Sequence, residues 1–120
     1  MADEALFLFW GYPPRGREDK ALQVFMEWQA YGAELQQARK IAGFSVYAMR
    51  TGNLTTRLGV TIVNGTRQQL DSIVGEPEWQ RRIMHASLIV DNLEIVRGET
   101  GDSLMKNIEI GVSARKELGY

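Results

Sequence analysis

His85 is the only side chain in these 120 residues whose ordinary pKa lies near neutrality, so a general acid or base is sought there first. Read as part of a helix with Trp79 and Ile83, at 100° per residue, it projects about 130° away from the apolar stripe those residues form. That makes it a surface or interface histidine with Arg81 and Arg82 for neighbours. No second histidine or carboxylate stands three or four residues away to complete a metal-binding pair, so no metal site is expected. Arg15 and Arg17 stand just before a helix start, where backbone amides and two guanidinium groups could hold a carboxylate or phosphate. Glu18 and Asp19 follow at once and favour the same end of the helix dipole, so a salt-bridged helix start is the preferred reading. One glycine between the arginines makes no phosphate loop.

The aromatic residues are the stronger lead. With strand alternation, Leu8, Trp10 and Tyr12 share one face of a first strand, and Ser45, Tyr47 and Met49 share one face of a second. Trp28 and Tyr31, on the helix between, can face either group. Aromatic walls with a few hydroxyl and indole donors suit small, largely apolar ligands, although large aromatics are also what cores are built from. Trp10, Tyr12, Arg15, Trp28, Tyr31 and Tyr47 are therefore the candidate ligand-binding residues.

Composition removes several alternatives. No cysteine is present, which excludes disulfides, thiolate metal sites and cysteine nucleophiles. A net charge of −1 gives no electrostatic reason to expect nucleic acid or an anionic membrane. No stretch approaches the roughly 20 apolar residues of a membrane span. The opening Met-Ala-Asp-Glu is acidic where a secretion signal would be basic, so a cytoplasmic protein is expected. Ser-His-Asp order with supporting context, nucleotide-binding glycine patterns and basic stripes interleaved with aromatics are all lacking, and no cofactor is implied.

The elements that must position these residues follow from periodicity. Residues 1–120 make one domain, large enough for a single core. Leu6-Phe7-Leu8-Phe9-Trp10 reads as a strand without a polar residue, ended by Gly11-Tyr12-Pro13-Pro14. A helix is expected from Glu18 to Ala42, closed by Gly43, with Ala21, Val24, Phe25, Trp28, Tyr31, Leu35, Ala38 and Ala42 on its inward stripe. Leu22, Met26 and Ala33 lie nearly opposite and call for a second cover. Phe44–Thr51 and Leu54–Val63 read as strands joined tightly at Gly52-Asn53. Thr66 and Gln69 have capping-box spacing and open a short helix to Val74. Pro77 begins another, with Trp79, Ile83, Ala86 and Val90 inward. A hairpin around Asp91-Asn92 competes with the end of that helix. The helix is preferred because the Trp79 stripe keeps its period to Val90. Leu93–Arg97 is a fourth strand, and a last helix spans Ser103 to Leu118.

This is one plan used twice, βαββαβ with an extra C-terminal helix: an α+β chain with a four-stranded antiparallel sheet and helices on one face. In that order it resembles the ferredoxin-like dimeric α+β barrel superfamily, in which two sheets face each other across a dimer. That superfamily includes antibiotic-biosynthesis-type monooxygenases, lactone isomerases, haem-binding enzymes and small effector-binding modules. The Trp10-Gly11-Tyr12-Pro13-Pro14-Arg15-Gly16-Arg17-Glu18 stretch, with Ala86-Ser87-Leu88-Ile89-Val90, is similar to small bacterial proteins of unassigned function.

The resemblance implies a homodimer, and the wholly apolar first strand asks for the same, since it needs cover on both faces. Two functional classes follow. One is a binding or interaction module holding a small apolar or aromatic molecule. The other is a cofactor-independent enzyme, monooxygenase- or isomerase-like, that orients an aromatic or polyketide-like substrate with Trp10, Tyr12, Tyr47 and Arg15. In that version Arg15 steadies an enolate-like charge. Leu22, Met26 and Ala33 are expected to lie under the C-terminal helix through Leu104, Ile108 and Val112, from the same chain or its partner.

Overall fold

A computed structural model describes residues 2–120. The chain forms β1 (Glu4–Trp10), α1 (Glu18–Gln37), β2 (Gly43–Ala48), β3 (Gly59–Gly65), α2 (Arg67–Val74), α3 (Pro77–Ile89), β4 (Glu94–Glu99) and α4 (Gly101–Glu117). The sheet is antiparallel in the order β2-β3-β1-β4. This is the expected βαββαβ order, with the second crossover split into α2 and α3 at Gly75-Glu76-Pro77. The Thr66–Gln69 capping box is formed in both directions, and Pro77 opens α3 where its missing amide leaves no helical bond unmade. No helix among the described residues is long and apolar enough to cross a membrane.

Strand alternation gives the sheet two unlike faces. Leu6 and Leu8 of β1 and Val63 of β3 turn toward the helices, where they join Tyr31, Leu35, Ile41, Leu70, Ile73 and Trp79 in the core. Trp28 sits among its aromatic neighbours, with ring centroids 5.5 Å from both Phe44 and Trp79 and 6.0 Å from Tyr31. On the other face Val96, Phe7, Ile62 and Ser45 form one row across the strands, and Glu94, Phe9, Val60 and Tyr47 the next. On that side Tyr47 and Val96 are exposed, Val60 is buried, and the Arg57 guanidinium lies 4.3 Å over the Phe9 ring.

A charged knot closes one end of the sheet. Glu4 is only 6% exposed, and its carboxylate accepts from Arg67 Nε at 3.0 Å and Arg97 Nε at 2.9 Å. Arg97 also reaches Asp71 at 2.7 Å. Burial works against its charge, but hydrogen bonds to Asp71 and Glu4 outweigh it, so its pKa is raised. The knot ties β1 and β4 to α2, and its two acids balance its two bases. It has no surplus charge with which to bind an ion.

Tyr31 is buried with a hydroxyl that has no hydrogen-bond partner among the described residues. Its pKa is pushed up to about 12, by burial first and then by Glu76 and Glu78, with the Arg82 guanidinium opposing. An unfolded chain loses this proton near pH 10. Between about pH 10 and 12 the native state therefore holds a proton that the unfolded state has shed, and stability falls as pH rises through that window. Tyr31→Phe should remove that high-pH loss. At pH 7 it should leave stability unchanged or raise it by up to about 1 kcal/mol, because no bond is broken. Urea unfolding at pH 7 and pH 11 reads both effects, and a clear loss at pH 7 would contradict the unpartnered hydroxyl.

Four expectations need correction. The first helix stops at Gln37, not Ala42. Arg39 takes a left-handed conformation (φ 58°), and the amides of Lys40 and Arg39 close on Leu35 O at 3.0 Å and Gln36 O at 3.1 Å. This is a Schellman ending on a residue other than glycine, which costs roughly 1 kcal/mol; Gln69 Nε2 donating to Arg39 O at 3.0 Å and burial of Ile41 accompany it. Second, β2 and β3 are not joined tightly at Gly52-Asn53. Ala48 pairs with Gly59, and the segment between folds into a turn in which Asn53 O accepts from Thr56 and Arg57. That turn lies against Gly11, where a Cβ would stand 1.9 Å from Thr55 O.

Third, no ion pair among the described residues joins Arg15 or Arg17 to Glu18 or Asp19. The Glu18 carboxylate instead accepts the Gly16 amide at 3.0 Å, and Arg17 donates to Leu88 O at 2.6 Å. Glu18's own amide and that of Gly16 hold its pKa below the usual range. Fourth, α4 does not cover α1 in the same chain. Leu22, Met26 and Ala33 are exposed, and α4 has no buried residue. Its first turn is pinned through Ser103 N–H to Asp3 at 3.0 Å and Ser103 Oγ to Glu99 at 2.7 Å, with Asn107 also on Glu99. Beyond that it projects from the body with Leu104, Ile108 and Val112 uncovered.

Candidate functional site

Between the sheet and the helix pair α1/α3 lies a cavity of about 290 Å³. Its floor is Leu8 and Trp10 of β1 and Thr61 of β3, which the register places side by side through Leu8↔Thr61. One wall is Phe25 and Trp28 of α1, the other Ile83 and Ile89 of α3. The space has a cause in side-chain size. Trp79 holds α3 against Trp28 at its first turn, while farther along Ala21 and Ala86 present only methyl groups to the gap. Gly59 permits the floor to be flat: a Cβ there would meet the Trp10 indole at 2.4 Å, so only glycine lets that ring lie across the strand. The Trp10 and Phe25 rings meet edge-on at 6.4 Å.

The walls are almost entirely carbon. The interior polar contact is Trp28 Nε1 donating to Thr61 Oγ1 at 3.0 Å. Glu18 stands at the rim with its carboxylate on the Gly16 amide. Such a space can bind and orient an apolar guest. It presents no histidine, cysteine or lysine to a guest. No group of three or more histidine, cysteine or acidic side chains with metal-binding geometry occurs among the described residues.

The six candidate residues do not converge. Trp10 and Trp28 line the cavity. Tyr31, one turn after Trp28, lies in the core beyond it. Tyr47 is on the opposite face of the sheet, paired with Val60 and 57% exposed. Tyr12 is exposed past the end of β1, its carbonyl accepting from the Asp91 amide at 2.9 Å. Arg15 is exposed in the turn before α1. Trp10, Tyr12, Tyr47 and Arg15 thus share no site. His85 is exposed on α3, as its helical phase predicts. Sequence reasoning missed Thr61, Phe25, Ile83 and Ile89 as lining residues. The legible signal was Thr61, the one hydroxyl in Val60-Thr61-Ile62-Val63 on the same strand face as the core residue Val63.

No protein-family model matches this chain, and no curated protein matches it. Solved structures do. A dimeric protein of unknown function with a ferredoxin-like fold from Bacteroides fragilis NCTC 9343 superposes with a TM-score of 0.64 at 10% identity, covering 83% of this chain and 98% of that one. A dimeric ferredoxin-like protein of unknown function from Jannaschia sp. CCS1 gives 0.63 at 14% identity, over 81% of this chain and 98% of that one. The fold is ferredoxin-like. At such identities the likeness concerns the path of the backbone, and residues of this chain carry any functional argument.

Proposed function

We propose that this chain is a homodimeric binding module that holds a small, largely apolar molecule between its sheet and the α1/α3 pair. The cavity carries the reading: about 290 Å³ of mostly apolar space, walled by Trp10, Phe25 and Trp28 and open to solvent beside the exposed Leu22 and Glu18. That is the small end of the range of ligand sites and has their usual lining. The catalytic alternative required Trp10, Tyr12, Tyr47 and Arg15 to act together, and Tyr47 stands on the opposite face of the sheet from Trp10 while Tyr12 and Arg15 are exposed beyond the end of β1.

The dimer rests on the other sheet face. Exposed Val96 and Tyr47 with half-buried Phe7, Phe9 and Ile62 make an apolar surface of a kind monomers seldom leave wet, although Val60 among them is already buried and the Arg57 guanidinium lies over Phe9. A second copy is the occupant that supplies an equally apolar, equally twisted face by symmetry. The two solved structures of the same fold are dimeric proteins. Uncovered apolar residues on α4 add surface at the edge of the same assembly.

Native mass spectrometry of the purified protein should show twice the chain mass and a retained small molecule. After stripping, small neutral aromatics should quench or shift tryptophan emission from Trp10 and Trp28. They should also raise the melting temperature, by about 2.7 kcal/mol of stabilisation at a hundredfold excess over Kd. His85→Ala should leave both responses unchanged, because that side chain faces away from the cavity. A broad aromatic panel with no shift of either kind would remove the cavity as a binding site.

A further inference from the structure

Resting on the homodimer reading above, we propose that α4 pairs antiparallel with α4 of the partner copy, about a twofold axis at Ile108. The helix is turned the unusual way round. Its side with Asp102, Ser103, Lys106, Asn107 and Ile110 borders the groove toward α2 and the end of the sheet, where Ser103 and Asn107 hold Asp3 and Glu99. At 100° per residue, the stripe of Leu104, Met105, Ile108 and Val112 falls on the opposite side. These four are between 40% and 54% exposed, and no residue of α4 is buried. Most of a helix's stability in a protein comes from packing its apolar face, and among the described residues nothing packs on this one.

Three features select a second α4 as the cover. Met105, Ile108 and Val112 follow at intervals of three and four, the seam spacing of paired helices. Charge also differs between the ends, with Asp102 in the first turn and Arg115 and Lys116 in the last. Antiparallel pairing about Ile108 brings Met105 against the partner's Val112 and Asp102 beside the partner's Lys116, and it sets the two helix dipoles head to tail. Gly111 is the third. A glycine inside a helix weakens it relative to alanine, and a Cβ there would meet nothing in its own chain. In this register Gly111 lies under the partner's Leu104, where the missing side chain lets the helices approach closely. Glu109 falls beside its own copy near the axis, the like-charge contact of the register. So short a stripe buries less than the roughly 800 Å² per partner of a stable interface, so the pair adds to the sheet contact and does not replace it.

The chain has no cysteine, so single substitutions in the full-length protein report the register by cross-linking. Ile108 and Ile110 are both exposed, and neither variant disturbs the core. At micromolar protein under mild oxidation, Ile108→Cys should form a disulfide-linked dimer at least about tenfold faster than Ile110→Cys, because pairing raises the local thiol concentration toward millimolar. Lys116→Glu in the Ile108→Cys chain should slow the reaction about twofold or more, and adding Asp102→Lys should restore it. Glu109→Gln should speed it, by relieving the contact at the axis. Cross-linking of Ile110→Cys as fast as Ile108→Cys overturns the pairing, and so does indifference to Lys116→Glu. Sedimentation of the natural sequence separates this from the reading beneath it. A dimer whose Ile108→Cys variant does not cross-link keeps the sheet contact and loses the α4 pair, whereas a monomer loses both.

Discussion

Trp79→Ala should lower the unfolding free energy by about 3–5 kcal/mol. Against a total of roughly 5–15 kcal/mol for a domain, that brings the chain close to unfolding at room temperature. Trp79 is 3% exposed and its ring lies tilted against Trp28 with centroids 5.5 Å apart, Trp28 being itself in contact with Tyr31 and Phe44. Its indole is where α3 meets both α1 and the core of Leu70 and Ile73. Truncation leaves a void that surrounding aromatics cannot collapse into, because each is held by another ring. The tilt of α3 should go with it, so ligand-induced shifts in melting temperature should vanish even in conditions where the variant stays folded. Leu88→Ala on the exposed side of α3 should cost less than about 0.5 kcal/mol. Urea denaturation followed by circular dichroism compares the two. A cost below about 1.5 kcal/mol for Trp79→Ala would mean that α3 is held elsewhere.

How much was legible in the sequence depended on whether the signal was local. The capping box at Thr66 and Gln69, the proline opening α3 and the inward stripe from Ala21 to Leu35 are short-range patterns, and each stands where periodicity puts it. The end of α1 was missed because glycine is the usual left-handed residue and Gly43 was available. Arg39 takes that conformation instead, a few residues earlier, in a setting made by Gln69 from a distant helix. The β2–β3 connection was misread for the same reason. Gly52-Asn53 is a good local turn pair, but the register is set where Ala48 meets Gly59 and where the loop settles on Gly11, contacts that no window of sequence contains.

Geometry rather than residue type parts the candidate residues. Alternation correctly put Leu8 and Trp10 on one face, yet nothing local says which strand face meets which helix, and Tyr47 proved to belong to the other side of the sheet. What makes the cavity is an absence of side-chain bulk at Ala21, Gly59 and Ala86, three positions far apart in sequence. Aromatic residues announce themselves in a sequence, and the gaps between them do not.

Ile62→Lys should turn the proposed dimer into a monomer. Ile62 stands in the middle of the uncovered face, flanked by Phe7 across the strand pair and by Ser45 on its other side. A lysine there is harmless in an isolated chain, since its ammonium reaches water directly. In a sheet-to-sheet dimer the twofold brings two such charges into an apolar interface with no acid nearby, the closest on that face being Glu94 at the far edge of the next row. Association should weaken by at least about a hundredfold. Sedimentation at micromolar concentration should give twice the chain mass for the natural sequence and the single mass for the variant. Circular dichroism should be unchanged, because the helix-side core is untouched. Truncation after Thr100 supplies the contrast, since α4 buries nothing in its own chain and its loss should spare the monomer fold. A dimer that survives truncation but not Ile62→Lys is joined through the sheets. One that survives Ile62→Lys but not truncation is joined through α4, and a natural sequence that sediments as a monomer has neither interface.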